Sequence, residues 1–116
     1  SIVADLVVTG NLETASVDVS IRSGNNGNYF TNDDSVITCS PNSTTGNIRI
    51  NLNPAANNEG MIFTLKKTNG NPENCIFDAG NDRIDGFVSR TLKSNRGYMT
   101  VISDGDNWLI ISEGGN

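Results

Sequence analysis

Three close pairs of carboxylates are the residues best suited by type and spacing to do chemistry: Asp33-Asp34, Asp82/Asp85 and Asp104/Asp106. Two carboxyl groups facing each other across a cleft, about 5–10 Å apart, can cleave a glycosidic bond. Each pair, however, falls in a predicted turn, where Asp favours bonds to nearby backbone N–H groups. Turn chemistry is the preferred reading of all three. A nucleophile lacks its base, because the chain contains no histidine. Neither a Ser-His nor a Cys-His pair can be assembled. The reading is not an enzyme.

Metal binding and recognition are the other possibilities. Asp104-Gly105-Asp106-Asn107 offers oxygens at alternating positions, as a calcium loop does. No bidentate Glu closes a twelve-residue loop there, so Asp104 and Asp106 read as hairpin residues, and no metal or other cofactor is expected. Cys39 and Cys75 lie within apolar strand-like runs. They read first as small core residues; the even count leaves a disulfide open, and a metal site lacks CxxC spacing and histidine. Trp108, Tyr29 and Tyr98 could stack on sugar rings. Trp108 lies in the most apolar run and reads as core, whereas Tyr29 follows a Gly/Asn loop. A receptor or glycan surface is therefore sought at Tyr29, at Asn25 and Asn26 in the 23–28 loop, and at Asn69 and Asn71 in the 69–74 loop.

Such residues must be positioned by strands. No segment has a helical period, and alternation dominates. Ile2 to Thr9 and Ala15 to Ile21 alternate, and Ser23-Gly24-Asn25-Asn26-Gly27-Asn28 breaks the chain. Strands are then expected at 34–40, 46–52, 60–67, 73–78, 87–92, 97–103 and 107–112, separated by Gly, Asn, Asp and Pro turns. Trp108 to Ile111 is apolar throughout, as in a strand buried on both faces. Lys66 and Lys67 are adjacent in a strand, so unless that strand lies at a solvent edge, which is the preferred reading, one points inward or towards an interface and needs a carboxylate or carbonyl partner there.

Composition narrows the class. The 116 residues suffice for one domain, and only 35% are hydrophobic. The net charge of −5 and scattered basic residues argue against nucleic acid. No apolar run approaches the ~20 residues of a membrane-spanning helix. An opening on a strand-like run without methionine reads as excision from a longer chain.

Two stretches resemble phage fibre proteins. Leu6-Val7-Val8-Thr9-Gly10-Asn11-Leu12 looks like a strand–Gly-Asn–strand unit of a fibre shaft. From about Ser35 to Ser112 the chain is similar to a β-rich domain at the ends of phage tail and head fibres. The motifs are Asn51-Leu52-Asn53-Pro54-Ala55-Ala56, Gly60 to Lys67, Ile84-Asp85-Gly86, and Ser103-Asp104-Gly105 followed by Trp108-Leu109-Ile110-Ile111. Asn53 stands where a Leu is usual, and the cysteines replace branched apolar residues. The resemblance implies a trimeric virion component.

The expectation is thus an all-β protein. Residues 1–22 form the end of a shaft or a β-arm, 23–28 a flexible loop, and 29–116 a small antiparallel β-sandwich or jelly-roll-like knob. It is expected to form a homotrimer on the virion surface, attached to a host receptor or glycan and to other virion proteins, with no nucleic acid and no membrane insertion. The alternatives are a carbohydrate-binding module of a secreted bacterial protein and a purely structural head decoration or cap.

Overall fold

The computed structural model describes residues 21–24, 28–30 and 35–115. The shaft reading of 1–22, apart from its last two residues, and Asn25, Asn26, Asp33 and Asp34 lie outside the described residues. Side chains are described from Ser35 onward.

The described chain is all β, in nine strands: β1 (Ile21–Gly24), β2 (Asn28–Phe30), β3 (Val36–Cys39), β4 (Ile48–Asn51), β5 (Ile62–Lys67), β6 (Cys75–Asp78), β7 (Ser89–Leu92), β8 (Tyr98–Ser103) and β9 (Trp108–Gly114). They form a five-stranded sheet ordered β1-β3-β5-β8-β9 and a four-stranded sheet ordered β2-β4-β6-β7. From β3 onward every strand lies where alternation puts it. The 23–28 segment begins within β1 and ends at the start of β2.

The antiparallel expectation is corrected. β1, β3 and β5 pair in parallel, as do β2, β4 and β6. Only β5–β8, β6–β7 and β8–β9 are antiparallel. Parallel neighbours need a crossover. Here the crossover from each strand to the next in its sheet is a strand of the other sheet, so the chain winds alternately through the two layers. Alternation fixes which side chains face inward, but it carries no information on strand direction.

The period-2 pattern builds one core between the sheets. Ile37, Phe63, Leu65, Met99, Val101 and Trp108 point inward from one sheet, and Ile48, Ile50, Phe77 and Leu92 from the other. Each such burial contributes about 1.5–3 kcal/mol. Phe63 and Trp108 meet with ring centroids 5.5 Å apart at 49°, a favourable tilted geometry.

Two further expectations change. β9 is an edge strand and is not buried on both faces: Trp108 is buried, but Leu109 and Ile111 face outward. Cys39 and Cys75 are buried as expected, but they are joined in a disulfide. Cys39 ends β3 in one sheet and Cys75 opens β6 in the other, so the bond ties the two layers together.

Candidate functional site

The winding gives the molecule two unlike ends. At one, β3 and β5 finish while β4 and β6 begin; this end holds the disulfide. At the other, β4 and β6 finish, β8 turns into β9, and Trp108 closes the core.

The tryptophan end is built from loops 52–61, 79–88 and 104–107. Trp108 is fully buried and its indole N–H donates to the Asn53 carbonyl at 3.2 Å. Ser103, also buried, donates its hydroxyl to the Ala55 carbonyl at 2.8 Å. Of the carboxylates considered for catalysis or metal, Asp82, Asp85 and Asp104 are engaged with backbone amides. Asp82 Oδ2 accepts from the Ala55 N–H at 2.8 Å, and Asp85 Oδ1 accepts from the Ile110 N–H at 3.1 Å. Asp104 Oδ1 accepts from the N–H groups of Asp106 and Asn107 at 2.9 and 2.8 Å, so Asp104 and Asp106 form a turn. The Asn107 and Asp106 amides hold the Asp104 carboxyl below its ordinary pKa, against a small opposing desolvation. Among the described residues, no three His, Cys, Asp or Glu side chains gather around a common point for a metal. A surface depression of about 460 Å³ lies beside Asn51, Pro54, Asn81 and Asp82, but no reactive pair faces it.

Apolar side chains are left uncovered toward this end. Ile62, Ile102 and Leu109 form one cross-strand row on the outer face of their sheet. Ile62 is 46% exposed and Leu109 40%, while Phe87 in the adjoining loop is 58% exposed. β1 begins at this end as well, because Ile21 is level with Val36 at the start of β3.

The disulfide end is built differently. Its loops, 40–47, 68–74 and 93–97, are Asn-, Ser- and Thr-rich with one carboxylate, Glu73. Lys67 lies fully buried among them. Its ammonium donates to the Asn71 and Lys93 carbonyls at 2.6 and 2.8 Å, joining two loops. Lys67 is thus the inward member of the lysine pair, and its partners are carbonyls. The Asn69 and Asn71 side-chain amides both donate to the Pro41 carbonyl, at 2.9 and 3.0 Å, which adds the third loop. The Ser40 and Thr68 hydroxyls are hydrogen-bonded, and the Thr68 N–H donates to the Cys39 carbonyl at 2.9 Å. Gly70 packs beside Asn95, with room for no more than ordinary contact. A disulfide, a buried ammonium and paired amides therefore fix three polar loops as one surface.

Of the residues sought for recognition, Asn69 and Asn71 lie here. β1 ends at Gly24 and β2 starts at Asn28 at this end too, with Tyr29 the second residue of β2. Sequence reasoning missed the contact between Lys66 and the 93–97 loop. Lys66 points outward, donates to the Arg96 carbonyl at 2.7 Å and lies 5.4 Å over the Tyr98 ring. Lys93 and Arg96 are exposed on the neighbouring loop. Arg96 holds a left-handed backbone, φ 67°, which is costly for a residue with a Cβ. Lys66 and Arg96 are distant in sequence and meet, ammonium to carbonyl, because β5 pairs with β8. No protein-family model matches the chain, and no curated protein matches it.

Proposed function

We propose that the chain is a non-enzymatic virion fibre domain, homotrimeric, that attaches to a host-surface receptor through its disulfide end. The observation that carries this reading is the polarity of the molecule. The end at which β1 begins leaves Ile62, Leu109 and Phe87 exposed, which suits association with like copies. The opposite end offers rigid polar loops, which suits recognition, since binding to a preformed surface avoids the cost of ordering it. Engagement of Asp82, Asp85 and Asp104 with backbone amides supports a binding role over catalysis. The resemblance of residues 35–112 to fibre ends adds the virion context.

Light scattering on the whole chain should give three times the 12.4 kDa of one copy. Ile62→Ser with Leu109→Ser, both on the outer face, should give a folded monomer. Excess protein should block adsorption of the virus that bears it. A wild-type monomer at micromolar concentration, or unhindered adsorption, would count against the reading.

One observation favours a second reading. The Cys39–Cys75 disulfide belongs to an oxidising compartment, which suits a carbohydrate-binding module of a secreted protein. Monomeric mass together with glycan binding would select that alternative.

A further inference from the structure

We infer that Asn69 is a self-modification site: its side-chain amide condenses with the backbone nitrogen of Gly70, loses ammonia, and is opened by water to aspartate or isoaspartate. The chemistry stands apart from the function proposed above. Its effect on recognition rests on the reading of the disulfide end as the recognition surface.

The 68–74 loop brings the reacting atoms together. Asn69 Oδ1 accepts from the Asn71 N–H at 3.1 Å, which folds the carboxamide back over the intervening Gly70 amide. The same N–H is a donor placed where negative charge develops as Cγ is attacked. Among the described residues, nothing accepts from the Gly70 N–H, so no hydrogen bond is broken when it gives up its proton. Gly70 is exposed and has no Cβ to hinder the approach. Three comparable positions each lack one of these features. Asn42 Oδ1 accepts from the Thr44 and Thr45 N–H groups at 2.8 and 2.9 Å, but Ser43 follows it and brings a Cβ. Asp104 precedes Gly105, whose N–H is engaged by the Ser103 hydroxyl at 3.1 Å. Asp85 precedes Gly86, but its Oδ1 is drawn away to the Ile110 N–H at 3.1 Å.

The reaction needs only water. Hydroxide takes the Gly70 proton, and the nitrogen's electron pair forms a bond to Cγ while the carbonyl π pair moves to Oδ1. When that pair returns, the Cγ–Nδ2 bond breaks and Nδ2 leaves as ammonia, with a proton taken from water. Water then opens the cyclic imide. Cleavage of its N–Cγ bond gives aspartate. Cleavage of its bond to the Asn69 backbone carbonyl gives isoaspartate, with the chain rerouted through the side chain. Either product gains a negative charge and loses the amide that donates to the Pro41 carbonyl at 2.9 Å, so one tie between loops 40–47 and 68–74 is cut.

The test ages the whole, oxidised chain at mildly alkaline pH and follows its tryptic peptides by mass spectrometry. The peptide from Thr68 to Arg83 should gain the mass difference between an amide and an acid, located at Asn69, before any other asparagine from residue 35 onward converts. An isoaspartyl methyltransferase should label the same peptide. Gly70→Ala should slow the conversion about tenfold or more. Its Cβ would make ordinary contact with the Asn95 side chain, 3.6 Å away, so this variant should keep the wild-type melting temperature. No conversion of Asn69, earlier conversion of Asn42, or an equal rate in Gly70→Ala would each overturn the inference. Adsorption is read separately. Fresh protein that blocks adsorption should lose that effect as Asn69 converts, and Gly70→Ala should keep it; blocking that outlasts the conversion would overturn the effect on recognition. Fresh protein that blocks nothing refutes the fibre reading and leaves the modification standing. A chain that blocks adsorption with Asn69 intact throughout does the reverse.

Discussion

The two ends of the sandwich are closed by opposite means. The tryptophan end buries a large aromatic ring against Phe63 and seals its loops with Asp side chains. The disulfide end has no comparable apolar side chain in loops 40–47, 68–74 and 93–97. It relies on a covalent bond, a buried ammonium and amide pairs. Apolar burial closes an end by removing surface from water, so it works where large side chains are available. A surface that must stay polar and exposed has no such recourse, and its stiffness has to come from directional bonds. Those bonds leave the loops rigid and wet together, a combination suited to recognition.

The contrast can be broken by experiment. Trp108→Ala should cost the most, about 3–5 kcal/mol in urea unfolding, through the cavity it leaves and the loss of the indole donor to Asn53. A cost below about 1 kcal/mol would show that the ring does not close its end. Replacing Cys39 and Cys75 by Ser removes a link across 36 residues, worth about 4 kcal/mol by loop-closure entropy. Here the sharper readout is amide exchange. It should quicken at Thr68 and in loops 40–47 and 68–74 before it changes at Trp108, and an even increase at both ends would erase the distinction.

Lys67→Met comes next. Met fills similar space but deprives the Asn71 and Lys93 carbonyls of their ammonium donor, so a loss of about 1–3 kcal/mol is expected. A more stable variant would mean that the cation is held at net cost and that packing alone suffices. The smallest effect is that of Asp104, whose pKa is lowered by the Asn107 and Asp106 amides. Its folded pKa lies below its unfolded one, so its contribution is present in full above the ordinary value of 3.8 and fades as pH falls through the folded pKa. Acid titration followed by NMR should show the Asp106 and Asn107 amides shifting together below pH 3.8, a response absent in Asp104→Asn.

Much of this was legible in the sequence for one physical reason. A strand's period of two states which side chains face inward. Val36 to Cys39, Ile62 to Lys67 and Tyr98 to Ser103 could be read from alternation, which also set Lys66 and Lys67 on opposite faces without showing which is buried or by what it is held. The Asp104 turn was legible because Asp bonds to the backbone two or three residues on, whereas Asp82 and Asp85 bond instead to the distant Ala55 and Ile110 amides. What alternation omits is partner and direction. The same pattern suits parallel and antiparallel neighbours, so the winding between sheets was invisible. The sequence marks Cys39 and Cys75 as inward, but only the winding sets them opposite each other. Lys66 and Arg96 meet through a pairing that neither segment encodes. Leu109 and Ile111 misled because an apolar run reads as a doubly covered strand, whereas β9 lies at an edge.

The winding has a consequence for how the protein comes into being on the ribosome. β1 waits for β3, β2 for β4, β3 for β5 and β4 for β6, so among the described strands none of these four pairs with its immediate successor. Among the described strands, the first partners adjacent in the chain are β6 with β7, and then β8 with β9. Nascent chains therefore emerge with their earlier strands unzipped, and the last third of the polypeptide supplies the hairpins on which the rest can collect.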